Sequence, residues 1–154
     1  MRFVPSTILG MAVATLILSS GVASAATYQC DIVNDRTRTN GGTVTTTSTS
    51  FTSVPGTAVA VTQSSNNCLI VEFSAQINTQ SAIELRLTRD GIPVGFPALA
   101  NVLGGNGSDN RTIRFVVPPD VANVGQHVYA LDFRSENGQA ASMSRLMTTV
   151  YFPQ

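Results

Sequence analysis

The chain is poor in charged and aromatic residues, and it contains no lysine and no tryptophan. Only 12% of its 154 residues are charged, nine basic and nine acidic, so it lacks the basic surface that binds nucleic acid or anionic membranes. Its three tyrosines, Tyr28, Tyr129 and Tyr151, leave few rings for the stacking that many sugar-binding modules use. With one histidine, His127, any Ser-His-Asp or Cys-His scheme would have to use that residue. These shortages disfavour nucleic-acid binding and histidine-dependent hydrolysis.

The N-terminus has the features of a secretory signal peptide. Arg2 supplies a positive charge, Val4–Leu18 is mostly apolar, and Ala23-Ser24-Ala25 is the small-residue pattern that signal peptidase cleaves. The apolar run is shorter than a transmembrane helix normally requires, which disfavours a membrane anchor. We therefore predict that Met1–Ala25 is removed and that 26–154 forms a single exported domain, periplasmic or extracellular, without a membrane span.

Cys30 and Cys68 are the only cysteines, and in an oxidising compartment we expect them to form one disulfide. Two thiols and one histidine make a poor structural metal site, because zinc normally takes four ligands. A lipid anchor is also disfavoured, since Thr27-Tyr28-Gln29 precedes Cys30 where a lipobox would be required.

Strand signals recur along the chain, and no segment beyond residue 25 keeps a helical period. Cys68–Ile77 and Ala82–Arg89 alternate between apolar and polar residues, which is typical of strands with one solvated face. Asp90-Gly91 predicts a tight hairpin into a return strand over Ile92–Phe96, and a loop of about fifteen residues follows. The other predicted strands are Tyr28–Val33, Thr57–Gln63, Arg111–Val117, His127–Arg134 and Ser142–Phe152.

Three polar segments complete the predicted fold. Asn34 to Gly42 is expected to be a loop, and the Thr-rich stretch Thr43–Ser53 a polar or edge strand. Asn137-Gly138 predicts a second hairpin. Seven to nine strands in this length indicate an all-β fold, an antiparallel two-sheet β-sandwich of the jelly-roll kind.

A resemblance supports this fold class. The shared elements are Asp90-Gly91-Ile92-Pro93-Val94, Gly125-Gln126-His127-Val128, Arg134-Ser135 and Arg145-Leu146. On these elements, the stretch from Leu69 to Phe152 resembles a recurrent type of small exported bacterial protein of unknown function. Some of those proteins are similar to the jelly rolls of C1q and tumour necrosis factor domains. The resemblance implies an exported β-sandwich and no catalytic residues.

Candidate chemical sites are few. Gly104 to Asp109 matches part of a calcium-binding repeat, so Asn106, Asp109 and Asn110 are weak metal candidates, but a single copy favours a plain loop. Alternation places Glu72, Glu84 and Asp132 on outward faces, which disfavours paired catalytic carboxylates and favours ion pairs with Arg86, Arg114 or Arg134. His127 is expected to be a half-buried, hydrogen-bonded residue at a strand start.

The sequence therefore predicts a non-catalytic exported β-sandwich without a cofactor. The first functional hypothesis is a protein-interaction or structural role, including self-association through the Thr-rich strand. The alternative is a glycan- or calcium-dependent ligand-binding module, and a hydrolase is the least favoured class.

Overall fold

The computed structural model describes residues 30–78, 82–102 and 109–153, so the predicted signal peptide, Tyr28 and Asn106 lie outside the described residues. The described part contains eleven strands and one short 3₁₀ turn, Val121–Asn123. The strands in chain order are β1 (Asn34–Asn40), β2 (Val44–Thr46), β3 (Thr52–Ser53), β4 (Val59–Gln63), β5 (Leu69–Ile77), β6 (Ile83–Arg89), β7 (Ile92–Pro93), β8 (Ala100–Val102), β9 (Asp109–Val117), β10 (Gly125–Ser135) and β11 (Ala141–Phe152). No helix in this part of the chain could span a membrane.

Two antiparallel sheets pack face to face as a β-sandwich, which confirms the predicted fold class. The five-stranded sheet has the order β1-β11-β5-β9, with β2 also pairing with β11. The six-stranded sheet has the order β3-β10-β6-β7, with β4 pairing with β10 and β8 with β6. The longer strands alternate between the sheets along the chain, which is the connectivity of a jelly roll.

The core lies between the sheets and follows the alternation in the sequence. In β5, Leu69, Val71, Phe73, Ala75 and Ile77 are buried, whereas the intervening polar residues are only half-buried. Burial of a large aliphatic or aromatic side chain stabilises the folded state by roughly 1.5–3 kcal/mol before entropic costs, so these inward rows drive the packing of the two sheets.

Two local predictions are confirmed. Asp90 and Gly91 both have positive φ, 53° and 83°, which is the backbone of a type I′ turn, and they join β6 to β7. Cys30 and Cys68 form a disulfide that ties the segment before β1 to the start of β5. The prediction of one domain over 26–154 stays a prediction.

The predicted position of the first strand is wrong. Residues Cys30–Val33 are not in a strand, whereas Asn34–Asn40, expected to be part of a loop, is β1 and pairs with β11 over its whole length. Because β1 is an edge strand whose side chains stay mostly exposed, it needs no apolar residues, and its polar sequence concealed it.

The second predicted hairpin is also wrong. Asn137-Gly138 does turn the chain, and Gly138 has a φ of 77°, but β10 and β11 belong to different sheets. The segment therefore crosses from one sheet to the other. A turn dipeptide determines the local reversal of the backbone, but it does not determine which sheet receives the next strand.

Three shorter segments differ from expectation for related reasons. Thr43–Ser53 divides into β2 and β3, which lie in opposite sheets. The return strand after Asp90-Gly91 is limited to β7, because Gly95 turns away with a φ of 86° and Phe96 pairs with Val116 of the other sheet. The expected fifteen-residue loop contains β8, which pairs with β6.

Candidate ligand-binding face

The outer face of the five-stranded sheet carries side chains that the core does not use. Directly opposed residues of antiparallel strands share a face, so the register defines rows of side chains running across the sheet. We call the first of these the aromatic row: Tyr151 of β11, Ile70 of β5, Val116 of β9 and Phe96 beyond it. Its two aromatic rings are Tyr151 and Phe96, and Asp35 of β1 lies opposite Tyr151 at one end.

Phe96 is added to the edge of this sheet by two backbone hydrogen bonds. Its N–H donates to the Val116 carbonyl and its carbonyl accepts from the Val116 N–H, both at 2.8 Å. The ring is 61% exposed although it is large and apolar. With strands about 4.8 Å apart, the Cα atoms of Phe96 and Tyr151 are separated by roughly 14 Å. The two rings therefore frame a platform three strand spacings wide.

A charged row runs beside the aromatic row. It consists of Thr37, Thr149, Glu72 and Arg114, in register from β1 to β9. The Tyr151 hydroxyl donates to Oε2 of Glu72 at 3.2 Å, so the phenol reaches from its own strand to the neighbouring one. The Nε atom of Arg114 lies 3.9 Å from Oε1 of Glu72. Desolvation and the neighbouring Glu72 carboxylate raise the pKa of Tyr151, so the phenol stays neutral and retains its proton.

Short hydroxyl side chains continue this face. Thr37 and Thr149 are 3.0 Å apart through their hydroxyl oxygens, and Ser74 and Thr112 are 2.9 Å apart. Beside Ser74, Met147 is exposed. The face thus combines two aromatic rings, the carboxylates of Glu72 and Asp35, one guanidinium and several uncharged hydroxyls.

The outer face of the six-stranded sheet is occupied by internal contacts. The Phe51 ring lies between two guanidinium groups, with Arg86 Cζ at 4.2 Å and Arg134 Cζ at 4.7 Å from the ring centroid. Arg86 pairs with Asp132 at 2.9 Å, and Arg134 pairs with Glu84. These ion pairs and the Arg114–Glu72 contact match the cross-strand partners predicted from the sequence. The engaged side chains leave this face few free groups for a ligand.

His127 lies where the sequence placed it, at the start of β10 and half-buried. Its Nδ1 is 2.6 Å from Oδ2 of Asp90, and its Nε2 is 3.2 Å from the Val124 carbonyl oxygen. The Asp90 carboxylate also accepts from the Val128 N–H at 2.8 Å. The hydrogen bond from His127 is the largest cause that lowers the pKa of Asp90. These contacts hold the β6–β7 turn against β10, which is a structural role.

The weak calcium candidates are not brought together by the described residues. Asp109 opens β9 and pairs with Arg111 at 2.7 Å, and Asn110 lies opposite Gln76 of β5. Within the described ranges no three His, Cys, Asp or Glu side chains are grouped to hold a metal ion. The prediction of a plain loop, with Asn106, Asp109 and Asn110 as weak metal candidates only, stays a prediction, since Asn106 lies outside the described residues.

The sequence reasoning named Tyr151 and Arg114 but missed Phe96, and it did not bring these residues together. Phe96 is the last residue of the predicted return strand and precedes Pro97, but its outward position depends on a pairing with distant Val116. An apolar residue directly after a glycine and before a proline was the available signal.

The chain has only distant similarity to known proteins. No protein-family model and no curated protein matches the sequence. The chain is similar to the CBM36-1 domain of a multidomain xylanase from the hindgut metagenome of Trinervitermes trinervoides, with 13% identity, a TM-score of 0.46, and coverage of 75% of this chain and 96% of that one.

Two other solved structures are similar at lower scores. Dimeric latent PorU from Porphyromonas gingivalis shows 13% identity and a TM-score of 0.40 over 80% of this chain and 13% of that one. The CBM22-1 xylan-binding domain of Xyn10C from Paenibacillus barcinonensis shows 10% identity and a TM-score of 0.29 over 84% of this chain and all of its own. None of the three is a C1q or tumour necrosis factor domain, so that resemblance stays a prediction.

Proposed function

We propose that the protein is an exported, non-catalytic binding module whose ligand is a glycan chain. The observation that carries this proposal is the aromatic row, with its two rings, beside the charged row on one sheet face. A sugar ring offers apolar C–H faces that pack on aromatic rings and hydroxyl edges that bind carboxylate and guanidinium groups. Tyr151 and Phe96 supply the rings, and Glu72 and Arg114 supply the polar partners.

The distribution of carboxylates supports a non-catalytic role. Glycoside hydrolysis needs two carboxyl groups on either side of one bond. Glu72 is on the outer face of the five-stranded sheet, where Asp35 of β1 is two strands away, whereas Glu84 and Asp132 are on the outer face of the other sheet and pair with arginines. Within the charged row, the Glu72 carboxylate already has Tyr151 and Arg114 as partners.

Export is supported by the Cys30–Cys68 disulfide, because such bonds persist in oxidising compartments. As a signal peptide, Met1–Ala25 would direct the chain there and then be removed. Self-association through the Thr-rich segment, the first hypothesis from the sequence, loses support because β2 and β3 belong to different sheets. A protein partner on the aromatic row is thus the competing outcome of the test below.

The test uses the oxidised protein over residues 26–154 against a panel of neutral and acidic polysaccharides, by affinity electrophoresis and titration calorimetry. We expect at least one polysaccharide to bind, and Y151A and F96A each to weaken binding about tenfold or more. F51A is the matched control, since Phe51 is an aromatic residue on the opposite outer face. Absence of polysaccharide binding, or equal loss in F51A and Y151A with all variants folded, overturns the proposal.

A further inference from the structure

One end of the sandwich contains a pocket of about 370 Å³ that is separate from the charged row. One wall is formed by Pro93, Val94 and Phe96, and the opposite wall by Val117, Pro118 and Pro119. These walls are apolar, and the volume is in the range of small-molecule sites. Three polar residues, Arg89, Asp120 and Asn123, complete the lining.

Arg89 is the distinctive group of this end pocket. It is half-buried, and it makes no ion pair with a carboxylate among the described residues. The neighbouring Asp90 carboxylate is already bound by His127 and the Val128 N–H. The described arginines that likewise lack a carboxylate partner are exposed to water: Arg36, Arg38 and Arg145. Since partial burial of an unpaired charge is costly, Arg89 is suited to pair with an anion supplied from outside.

The guanidinium of Arg89 is held in place by buried neighbours. Its Nη1 donates to Oδ1 of Asn123 at 2.5 Å, and it also interacts with the Tyr129 phenol. Asn123 is fully buried and donates to the Pro118 carbonyl at 2.8 Å. A guanidinium has five N–H donors, so donors remain for a ligand after these contacts. The cation is therefore oriented before any ligand arrives, which lowers the entropic cost of binding.

The two walls of the pocket are also joined to each other. The β6–β7 turn and the segment that ends at Val124 are both bound by His127. Gly95 allows close approach of the walls for two reasons. A Cβ atom at this position would lie only 3.2 Å from the Val116 carbonyl oxygen, and the backbone φ of 86° is one that other residues rarely adopt. The pocket is thus a built feature of the fold.

The geometry points to a binding site for a monocarboxylate with an apolar body. The carboxylate pairs with Arg89, and the apolar body lies between Val94 and Phe96 on one side and Pro118 and Pro119 on the other. Asp120, at the rim, uses Oδ1 to accept the Ala122 N–H at 3.0 Å and adds a negative charge. That charge disfavours a second acidic group on the ligand. A free carboxylic acid and the C-terminal residue of a peptide share this chemistry.

The experiment titrates the oxidised protein with 3-phenylpropionate and with its neutral analogue, 3-phenylpropanamide, and follows the amide signals by NMR. We expect 3-phenylpropionate to shift the amide signals of residues 94–96, 117 and 120–123, and 3-phenylpropanamide to bind at least tenfold more weakly. Short peptides ending in phenylalanine, with a free or an amidated C-terminus, form the second arm. Tighter binding of the free-acid peptide than of 3-phenylpropionate identifies a peptide terminus as the source.

Variants separate charge recognition from simple apolar binding. R89Q retains a donor for Asn123 but removes the charge, and it should weaken carboxylate binding about tenfold or more. R38Q, which replaces an exposed arginine in β1, is the matched control and should leave binding unchanged.

D120N keeps the acceptor for the Ala122 N–H and should strengthen carboxylate binding about two- to threefold, which tests the site even if R89Q fails to fold. Equal affinity for acid and amide, or no effect of either pocket variant, overturns the inference. Phe96 belongs to both the pocket wall and the aromatic row, but none of these substitutions changes Phe96, Tyr151 or Glu72, so this result can be separated from that of the glycan test.

Discussion

Thr148 and Thr149 are neighbours in β11, but only the Thr149 hydroxyl has a hydrogen-bond partner in the described structure. Thr149 points outward, and its hydroxyl lies 3.0 Å from that of Thr37. Thr148 points into the core at 1% exposure, and its Oγ1 has no hydrogen-bond partner in the described structure. A buried polar atom without a partner carries a desolvation penalty that an apolar atom of the same shape avoids.

Replacing Thr148 by valine should therefore stabilise the protein. The exchange keeps the shape of the side chain and removes the unpaired hydroxyl, so we expect T148V to raise the free energy of unfolding by about 1 kcal/mol. T149V is the matched control, because it removes a hydroxyl that has a partner, and it should leave stability unchanged or lower it. Urea unfolding of both variants measures the difference. A loss of stability in T148V would contradict the assignment.

The Asp90–His127 contact predicts acid sensitivity. Because the pKa of Asp90 is lowered in the folded state, its contribution to stability is present above the unfolded value near 3.9 and is lost as pH falls through the folded value. D90N tolerates the positive φ of 53° and removes the titration. Unfolding curves between pH 6 and pH 2 should fall less steeply for D90N than for the unmodified protein. Parallel curves would exclude a stabilising role for the ionised carboxylate.

Loss of the disulfide should destabilise the folded state, because the unfolded chain gains conformational entropy when the cross-link is absent. For a sequence separation of 38 residues, chain entropy predicts a cost of about 4 kcal/mol, with 2–4 kcal/mol as the usual measured range. The double variant C30S/C68S, compared with the oxidised protein in guanidinium unfolding, measures this cost. A difference within the error of the measurement would show that the unfolded chain is already compact.

Phe51 should stabilise the outer face of the six-stranded sheet through its two guanidinium contacts. F51L keeps an apolar side chain but removes the ring, and we expect a cost of about 1–2 kcal/mol, since each exposed cation–π contact contributes about 0.5–1 kcal/mol. A double-mutant cycle with R134Q isolates the share of one arginine. A coupling energy of zero would assign the whole effect to apolar packing.

The part of the fold that could be predicted from the sequence is the part determined locally. The alternation in β5 and β6 follows from side-chain burial, and Asp90-Gly91 follows from the preference of a type I′ turn for residues that tolerate positive φ. The disulfide follows from having two cysteines and from the expectation that the chain works in an oxidising compartment. In each case the information lies within a short stretch or a simple count.

The features that escaped prediction depend on distant partners. β1 is a strand because β11 is available to pair with it, and nothing in its own polar sequence indicates this. Phe96 belongs to the candidate face only through its bridge to Val116, and Arg89 lines a pocket only because Pro118 and Pro119 lie opposite. Such pairings between distant segments cannot be identified from the local residue pattern of a single sequence.

The position of β11 determines the order in which the molecule can assemble. This last described strand sits inside the five-stranded sheet, with β1 and β2 on one side and β5 on the other, so the earliest strand finds its partner only when the latest is present. Contacts between such distant segments slow folding, because the entropic cost of closing a long loop comes before the contacts can stabilise the chain. A chain that lacks β11 therefore cannot complete the five-stranded sheet, because β1 and β5 both lose the strand that lies between them.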